Sequence, residues 1–149
     1  MTKDKEKIGA VMVAGAGIAG IQASLDLANS GMKVYLVEKG ISIGGVMAQL
    51  DKTFPTNDCS ACILSPKLVE VGRHPNVEIL TRRTITAVEG EAGHFRVKMT
   101  RAPRYVDLDK CTGCGDCAKV CPINIPSDFN EGLSERQAIY RHFPQAIPS

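Results

Sequence analysis

The chain has 149 residues, of which 44% are hydrophobic, enough for one modest core and an appended segment. With 18 basic against 16 acidic residues the net charge is only +2, which excludes electrostatic capture of nucleic acid or of an acidic membrane surface. No window approaches the roughly 18 apolar residues of a membrane span, and the mixed-charge residues 1–7 lack a following apolar region, so we expect a cytoplasmic protein without direct membrane insertion.

The N-terminal third predicts a strand, a glycine turn, a helix and a second strand. Residues 8–14 form an almost unbroken apolar run, which is typical of a strand buried on both faces of a parallel sheet. Apolar residues at helical spacing follow and indicate one buried helix face, ending at Ser30-Gly31. Residues 33–38 are predicted to form the second strand.

The turn after the first strand reads Gly15-Ala16-Gly17-Ile18-Ala19-Gly20, the order of a dinucleotide-binding fingerprint. Here Gly15 permits the tight turn, Gly17 lets a pyrophosphate approach the backbone, and Gly20 allows the helix to pack closely on the strand. Glu38 follows near the offset at which an acid accepts hydrogen bonds from the adenosine ribose hydroxyls. Because strand, glycines, helix, strand and acid come in order, dinucleotide binding is favoured over a merely structural turn.

A second glycine pair follows the acid. Gly44-Gly45 resembles the extended fingerprint of the glutathione-reductase-like flavoprotein superfamily, which favours FAD over NAD, with an ordinary flexible loop as the alternative. The cofactor contacts expected on this basis are Gly15, Gly17, Ile18, Ala19, Gly20, Glu38, Lys39, Gly44 and Gly45.

Residues 54–76 narrow the resemblance to one family. The stretches FPTNDCSACILSPK and VEVGRHPN resemble the A-subunit family of heterodisulfide reductases, including its relative, the A-subunit of the quinone-interacting membrane-bound oxidoreductase of sulfate reducers. The resemblance implies the N-terminal part of an oxidoreductase subunit that passes electrons between FAD and 4Fe-4S clusters in anaerobic energy metabolism. The resemblance also implies partner iron–sulfur subunits. The sequence of residues 57–62 favours the quinone-linked relative, for which the resemblance implies a membrane quinone-linked subunit as well.

Cys59 and Cys62 lie inside this stretch and leave three interpretations open. They are a redox-active dithiol near the start of a helix predicted over residues 63–71, two ligands of a cluster, or two buried thiols. Pro66 leaves the start of that helix uncertain. The spacing is narrower than in pyridine-nucleotide disulfide reductases, which favours ligands or family-specific redox residues over a simple disulfide.

The middle of the chain predicts strands and little chemistry. Residues 77–81, 84–88 and 95–100 alternate between apolar and polar, and residues 90–94 read as a hairpin turn. The pattern matches the small β-meander of flavoprotein Rossmann domains. His74 and His94 are isolated loop histidines, to which we assign no role.

The strongest motif is the cysteine run at Cys111, Cys114, Cys117 and Cys121, followed by Pro122. It has the C-x2-C-x2-C-x3-C-P spacing of bacterial ferredoxins and predicts a 4Fe-4S cluster, whereas zinc sites usually pair two distant Cys-x-x-Cys units. Without a signal peptide, the spacings of all six cysteines indicate reduced thiolates holding iron and not disulfides. Cys121 either closes the cluster of the other three or serves a second cluster, with ligands at Cys59 and Cys62 or beyond residue 149.

The fold class expected is therefore α/β. An incomplete Rossmann-type FAD region with flanking helices and a small β-meander covers residues 1–104, a ferredoxin-type 4Fe-4S segment covers residues 105–126, and residues 127–149 begin a truncated following region. In that last region Ser134 is predicted to cap a helix over residues 135–142. The alternative function is a ferredoxin-like electron carrier or assembly module with a structural, flavin-free Rossmann part.

Overall fold

A computed structural model describes residues 9–148 of the chain. Its elements are, in order, β1 (Ala10–Ala14), α1 (Ile18–Asn29), β2 (Lys33–Val37), β3 (Lys52–Thr53), β4 (Asp58–Cys59), α2 (Ser60–Arg73), β5 (Val77–Leu80), β6 (Arg83–Glu89), β7 (Arg96–Arg101), α3 (Asp116–Lys119), β8 (Asn124–Pro126) and β9 (Glu135–Gln137). Short 3-10 turns lie at Gly45–Gln49 and Asp128–Asn130.

The centre of the fold is a three-stranded parallel sheet in the order β1-β2-β5. Val13, Leu36 and Ile79 lie opposite one another across it. The β1–α1–β2 and β2–α2–β5 connections step across the sheet in the same direction. Since such connections are right-handed, α1 and α2 lie on the same face of the sheet. This α/β arrangement confirms the predicted Rossmann-type fold.

Strand β1 lies at the edge of this sheet. Its middle residues are half-buried and its end residues exposed, so the prediction of a strand buried on both faces is wrong for β1. Even β2, which has a strand on each side, buries Val34, Leu36 and Val37 but leaves Tyr35 exposed, because both long helices cover the same face of the sheet. Ile8, with which the predicted strand begins, lies outside the described residues.

The two long helices run side by side in the same direction. Lys67 donates a hydrogen bond to Gln22, and His74 Nε2 lies 3.2 Å from Asn29 Oδ1. The two partners are 45 residues apart in both pairs, as expected for parallel helices. Helix α2 begins at Ser60 and not at residue 63. It continues through Pro66, whose ring removes the N–H that would bond the Cys62 carbonyl.

The hydrophobic core lies between these helices and the sheet, and the C-terminal segment closes it. Its buried members are Ala16, Ile21, Leu25, Leu36, Ile43, Leu64, Leu68 and Val71. Phe143 and Ile147 pack against this cluster, and the Ile43 amide donates to the Ile147 carbonyl at 2.8 Å. The end of the chain therefore folds back onto the Rossmann part.

The helix predicted over residues 135–142 is wrong. Residues 135–137 instead form β9, which pairs antiparallel with β8. Ser134 does not cap a helix: its hydroxyl accepts from Asn130 Nδ2 at 2.6 Å and its carbonyl from the Ser127 amide at 2.8 Å, closing the β8–β9 connection. Pairing between strands outcompeted the local helical pattern.

The predicted meander is a two-stranded hairpin of β6 and β7. The turn lies where the sequence indicates it: Gly90 has a φ of +102°, and the His94 amide donates to the Glu91 carbonyl at 2.9 Å. A bulge interrupts the pairing between Ile85 and Ala87. In the described part of the chain, no helix combines the length and the apolar character needed to cross a membrane.

The environment of His142 indicates that the free energy of unfolding decreases in mild acid. Its ring Nδ1 lies 2.9 Å from the Ser42 hydroxyl. Burial, followed by nearby Arg136, lowers the pKa of His142 although Asp128 opposes the shift. Since the pKa in the unfolded chain is about 6.5, the unfolded state binds more protons, and stability present above that value is lost as the pH falls through the lower folded pKa.

The measurement is thermal unfolding followed by circular dichroism between neutral and mildly acidic pH. We expect the midpoint to fall with pH in the native chain and to fall less steeply in His142→Gln, which keeps a polar group beside Ser42. If the unfolding midpoint fell equally steeply with pH in the two proteins, a group other than His142 would govern the loss of stability in acid.

Candidate cofactor-binding site

The glycine turn between β1 and α1 is built for a close backbone approach. Gly15 has a φ of +93° and its amide donates to the Val37 carbonyl at 2.8 Å. A Cβ at Gly20 would lie 1.9 Å from the Gly15 carbonyl oxygen, so only glycine lets α1 pack there. A Cβ at Gly17 would meet nothing within 4 Å.

Gly17 is also the N-cap of α1, and no side chain caps the helix or adds negative charge to its first turn, which contains Ile18 and Ala19. An uncapped helix N-terminus beside open space is the arrangement that binds a phosphate. The residues present therefore fit a dinucleotide pyrophosphate at this loop.

Glu38 braces the glycine turn. One carboxylate oxygen accepts from the Ala16 amide at 2.8 Å and the other from the Gly40 amide at 2.7 Å. Sequence reasoning expected a ribose contact and missed this bracing. A carboxylate has about four acceptor positions, so Glu38 keeps capacity for ribose hydroxyls.

The second glycine pair lies against the first fingerprint. The Gly44 amide donates to the Ala16 carbonyl at 2.8 Å, and Gly17 and Gly44 form an isolated parallel bridge. Gly45 has a φ of +59°, and a Cβ there would lie 2.8 Å from Gly17 Cα. The pair is thus part of the site and not a free loop.

A cleft of about 240 Å³ continues from this loop along the carboxyl end of the sheet. It is lined by Gly15, Val37, Glu38, Lys39, Arg83, Thr84 and Ile85. Lys39, predicted as a cofactor contact, lines this cleft. The contribution of β6 was missed because its alternation indicates only a strand. The cleft continues from the glycine turn towards the side on which Glu38 lies.

A larger cleft of about 520 Å³ shares Arg83 with it. Its lining holds four arginines and two carboxylates: Arg82, Arg83, Arg101, Arg104, Asp107 and Asp109. Arg104 donates to the Ile41 carbonyl and, at 3.2 Å, to the Thr81 hydroxyl. Burial, then the charges of Arg82 and Arg101, lower the pKa of Arg104. The arginines come from the two ends of the β6–β7 hairpin, where Arg83 lies opposite Arg101.

We expect Arg104→Ala to destabilise the junction between the Rossmann part and the cysteine segment. The substitution removes both hydrogen bonds that Arg104 makes to the loop after β2 and to the end of β5. The expected cost is about 1–2 kcal/mol of unfolding free energy, measured by urea denaturation. Arg101→Ala, which removes a neighbouring like charge, serves as the control and should cost less; an equal cost would contradict the anchoring role.

The predicted iron ligands lie on a glycine-rich loop and on α3. Cys111 and Cys121 are half-buried, Cys114 and Cys117 are exposed, and all four are free thiols. Gly113 and Gly115 have φ values of +71° and +83°. Within residues 9–148 no three His, Cys, Asp or Glu side chains are gathered as a ready metal site, so the fit rests on donor chemistry: four soft, reduced thiols suit iron–sulfur ligation.

Two contacts connect this loop with the C-terminal segment. A hydrogen bond with the backbone of Ile139 lowers the pKa of the Cys121 thiol and favours the thiolate that a metal binds. Arg141 donates to the Gly113 carbonyl at 3.0 Å. The segment that closes the Rossmann core therefore also contacts the cysteine loop.

Cys59 and Cys62 form a disulfide. Both are exposed, which overturns the interpretation as buried thiols, and the expectation that all six cysteines are reduced is wrong for this pair. Cys59 is the N-cap of α2, and its sulfur accepts from the Cys62 amide at 3.2 Å. No third potential ligand of the described residues joins them in a metal site.

Comparison with protein families agrees with the two cofactors expected. A model described as a FAD dependent oxidoreductase matches residues 10–70, and one described as a 4Fe-4S binding domain matches residues 104–127. The first match contains the fingerprint and the disulfide, and the second contains the cysteine run.

Curated relatives match almost the whole chain. It is 61% identical over 138 residues to the second iron-sulfur A-subunit of the CoB–CoM heterodisulfide reductase of Methanopyrus kandleri, covering 93% of this chain and 21% of that protein. It is 62% identical over 140 residues to the protein of Archaeoglobus profundus that is named as similar to the heterodisulfide reductase A-subunit, covering 93% and 20%. The chain thus spans about a fifth of the length of these relatives.

Solved structures support the fold. L-proline dehydrogenase from P. horikoshii has a TM-score of 0.50 and 28% identity, covering 65% of this chain and 20% of that protein. Thioredoxin reductase from Lactococcus lactis has a TM-score of 0.50 and 23% identity, covering 62% and 31%. The second likeness concerns the fold alone.

Proposed function

We propose that this chain, a segment belonging to the A-subunit family of heterodisulfide reductases, passes electrons between FAD and a 4Fe-4S cluster within an oxidoreductase subunit. One observation carries the proposal: the glycine fingerprint and the cysteine run belong to one packed unit. Arg141 contacts the cysteine loop, and two residues later Phe143 lies 3.2 Å from the position of a Cβ on Gly44.

A second contact joins the turn that begins at Gly45 to the C-terminal segment. Gln49, at the end of the turn that follows Gly45, donates to the Phe129 carbonyl at 2.9 Å. Phe129 in turn stacks on Phe143, with ring centroids 5.9 Å apart. Electron transfer between two cofactors needs a fixed separation, and the C-terminal segment, which contacts the cysteine loop through Arg141, supports one by packing on the turn after Gly44.

The residues proposed to hold FAD are those of the glycine turn and the adjoining cleft. Gly17 and the N-terminus of α1 would receive the pyrophosphate, Glu38 the ribose, and the cleft beside Lys39 the adenosine end. FAD supplies two-electron redox chemistry when bound, while the protein binds it, orients it and sets the local charge. Within the described residues we assign no general base or nucleophile.

The four thiols at Cys111, Cys114, Cys117 and Cys121 are proposed as the cluster ligands. A cluster supplies one-electron chemistry, and its potential depends on hydrogen bonds and solvent exposure around the sulfurs. The exposure of Cys114 and Cys117 on this segment supports a cluster that a partner protein can reach to exchange electrons.

For the whole protein we propose a cytoplasmic oxidoreductase subunit that works with other iron–sulfur subunits of a heterodisulfide-reductase-like complex. Relatives are named as such reductases, one being the A-subunit of the H(2):CoB-CoM heterodisulfide,ferredoxin reductase of Methanothermobacter marburgensis, 56% identical and covering 92% of this chain and 21% of that protein. These names favour a heterodisulfide-linked complex over a quinone-linked membrane partner.

The test is an anaerobic ultraviolet–visible spectrum of the purified chain with iron and acid-labile sulfide assays, repeated after dithionite. We expect flavin bands, a broad bleachable shoulder and about four irons per chain. A cluster without any bound flavin, even after FAD is added, would favour the electron-carrier alternative. A colourless chain containing zinc would overturn the iron–sulfur assignment.

A further inference from the structure

The Cys59–Cys62 disulfide lies where a structural cross-link has little to stabilise. It joins residues only three positions apart, whereas the stabilisation from a disulfide grows with the length of the loop it closes. Helix α2 is already held by Leu64, Leu68 and Val71, all buried in the core. Both sulfur-bearing residues are exposed, so the bond is open to reducing partners.

The pair also lies at the end of the fold that carries the glycine fingerprint. Helices α1 and α2 run parallel with a constant offset of 45 residues, seen at Gln22–Lys67 and at Asn29–His74. The same offset places Cys62 level with Gly17. A Cβ on Gly44 would lie 3.6 Å from Leu64 Cδ2, so the first turns of α2 contact the second glycine pair directly.

The backbone around the disulfide favours its reduction to a form in which Cys59 is a thiolate. The Cys62 amide, one of the N–H groups at the start of α2 without a partner inside the helix, donates to the Cys59 sulfur at 3.2 Å. Its N–H would remain in place to stabilise a thiolate on Cys59 after reduction, and the N-terminus of a 14-residue helix adds partial positive charge.

We propose that Cys59 and Cys62 are a redox-active pair that exchanges two electrons with the flavin held on the adjacent fingerprint, an inference that rests on the proposed function. The S–S bond breaks, the pair gains two electrons and two protons, and two thiols form. The electrons come from the reduced flavin, which returns to its oxidised form, and the protons come from that flavin and from solvent. The pair is thus a third redox centre, distinct from the cluster ligands.

The experiment follows the thiols directly in the FAD-loaded chain. Samples reduced with dithionite under anaerobic conditions are quenched in acid, alkylated and digested, and the mass of the peptide containing Cys59 and Cys62 is measured by mass spectrometry. We expect an unmodified disulfide peptide before reduction and a doubly alkylated peptide after it. The same treatment of the flavin-free chain should open the bond much more slowly, because direct attack by dithionite replaces electron delivery through the flavin; equal rates with and without flavin would overturn the proposal.

Two variants complete the design. Cys59→Ser combined with Cys62→Ser should bind flavin and iron at native levels and take up two electrons fewer per chain in a reductive titration. Ala61→Ser, an exposed change between the two cysteines, should behave as the native chain.

Loss of iron in the double cysteine variant would overturn the proposal and identify the pair as cluster ligands. Flavin that binds and bleaches while the pair stays closed would also overturn it and leave the proposed function intact. A chain that binds no flavin would instead refute the proposed function, and this inference with it.

Discussion

Gly20→Ala is expected to disrupt the fingerprint by itself, without any cofactor present. The new methyl would lie 1.9 Å from the Gly15 carbonyl oxygen, a backbone atom that cannot turn aside. Either α1 moves off the sheet or the turn loses its conformation, at a cost on the order of 3 kcal/mol of unfolding free energy. Urea denaturation should show this loss, and FAD binding should disappear with it.

Gly17→Ala is the matched comparison, since it adds the same methyl three residues earlier. Nothing lies within 4 Å of that methyl, and the φ of Gly17 is an ordinary −74°. We expect stability to change by less than about 1 kcal/mol, the scale of an N-cap change from glycine to alanine. FAD affinity should nevertheless fall by about tenfold or more, about 1.4 kcal/mol, because the methyl occupies the space proposed for the pyrophosphate.

The pair of variants separates packing from binding. Fluorescence quenching of FAD and urea denaturation on both proteins give the two quantities independently. Native FAD affinity in Gly17→Ala would show that the pyrophosphate does not lie at this loop. Native stability in Gly20→Ala would show that α1 does not pack as closely on the Gly15 carbonyl as described.

The features predicted correctly from the sequence are those whose physical cause is local. The glycine turn depends on residues within one short stretch, and the predicted roles of Gly15 in the turn and Gly20 in packing agree with a φ of +93° and a Cβ contact of 1.9 Å. The β6–β7 hairpin likewise follows from alternation on both sides of Gly90. The start of α2 was placed too late, because cysteine is an uncommon N-cap and Cys59 gives no capping signal by residue type.

What the sequence did not reveal depends on pairings between distant segments. Residues 135–137 form a strand only because residues 124–126 offer a partner, and a single sequence does not show which segments pair. The return of Phe143 and Ile147 to the core has the same origin. Glu38 shows a subtler case, since its position was predicted but its role as a brace for the Ala16 and Gly40 amides was not.

Loss of the cluster is the second large effect expected. Cys114→Ser removes an exposed thiol that lies outside the buried core, so the fold should remain while one soft ligand is lost. We expect iron to fall from about four per chain to well below half of that, with loss of the reduced-cluster signal in electron paramagnetic resonance. Thr112→Ser, an exposed neighbour on the same loop, should retain native iron and thus serves as the control.

Cys121→Ser decides how the fourth ligand is used. In two-cluster ferredoxins the fourth cysteine of a run serves the other cluster, yet the described residues contain one such run, and Cys59 is bonded to Cys62. A backbone hydrogen bond already favours the Cys121 thiolate, which supports a ligand at this position. If Cys121 closes the cluster of the other three, Cys121→Ser should lose iron and signal to the same extent as Cys114→Ser. Native iron in Cys121→Ser, beside iron loss in Cys114→Ser, would show that its thiol belongs to a different centre.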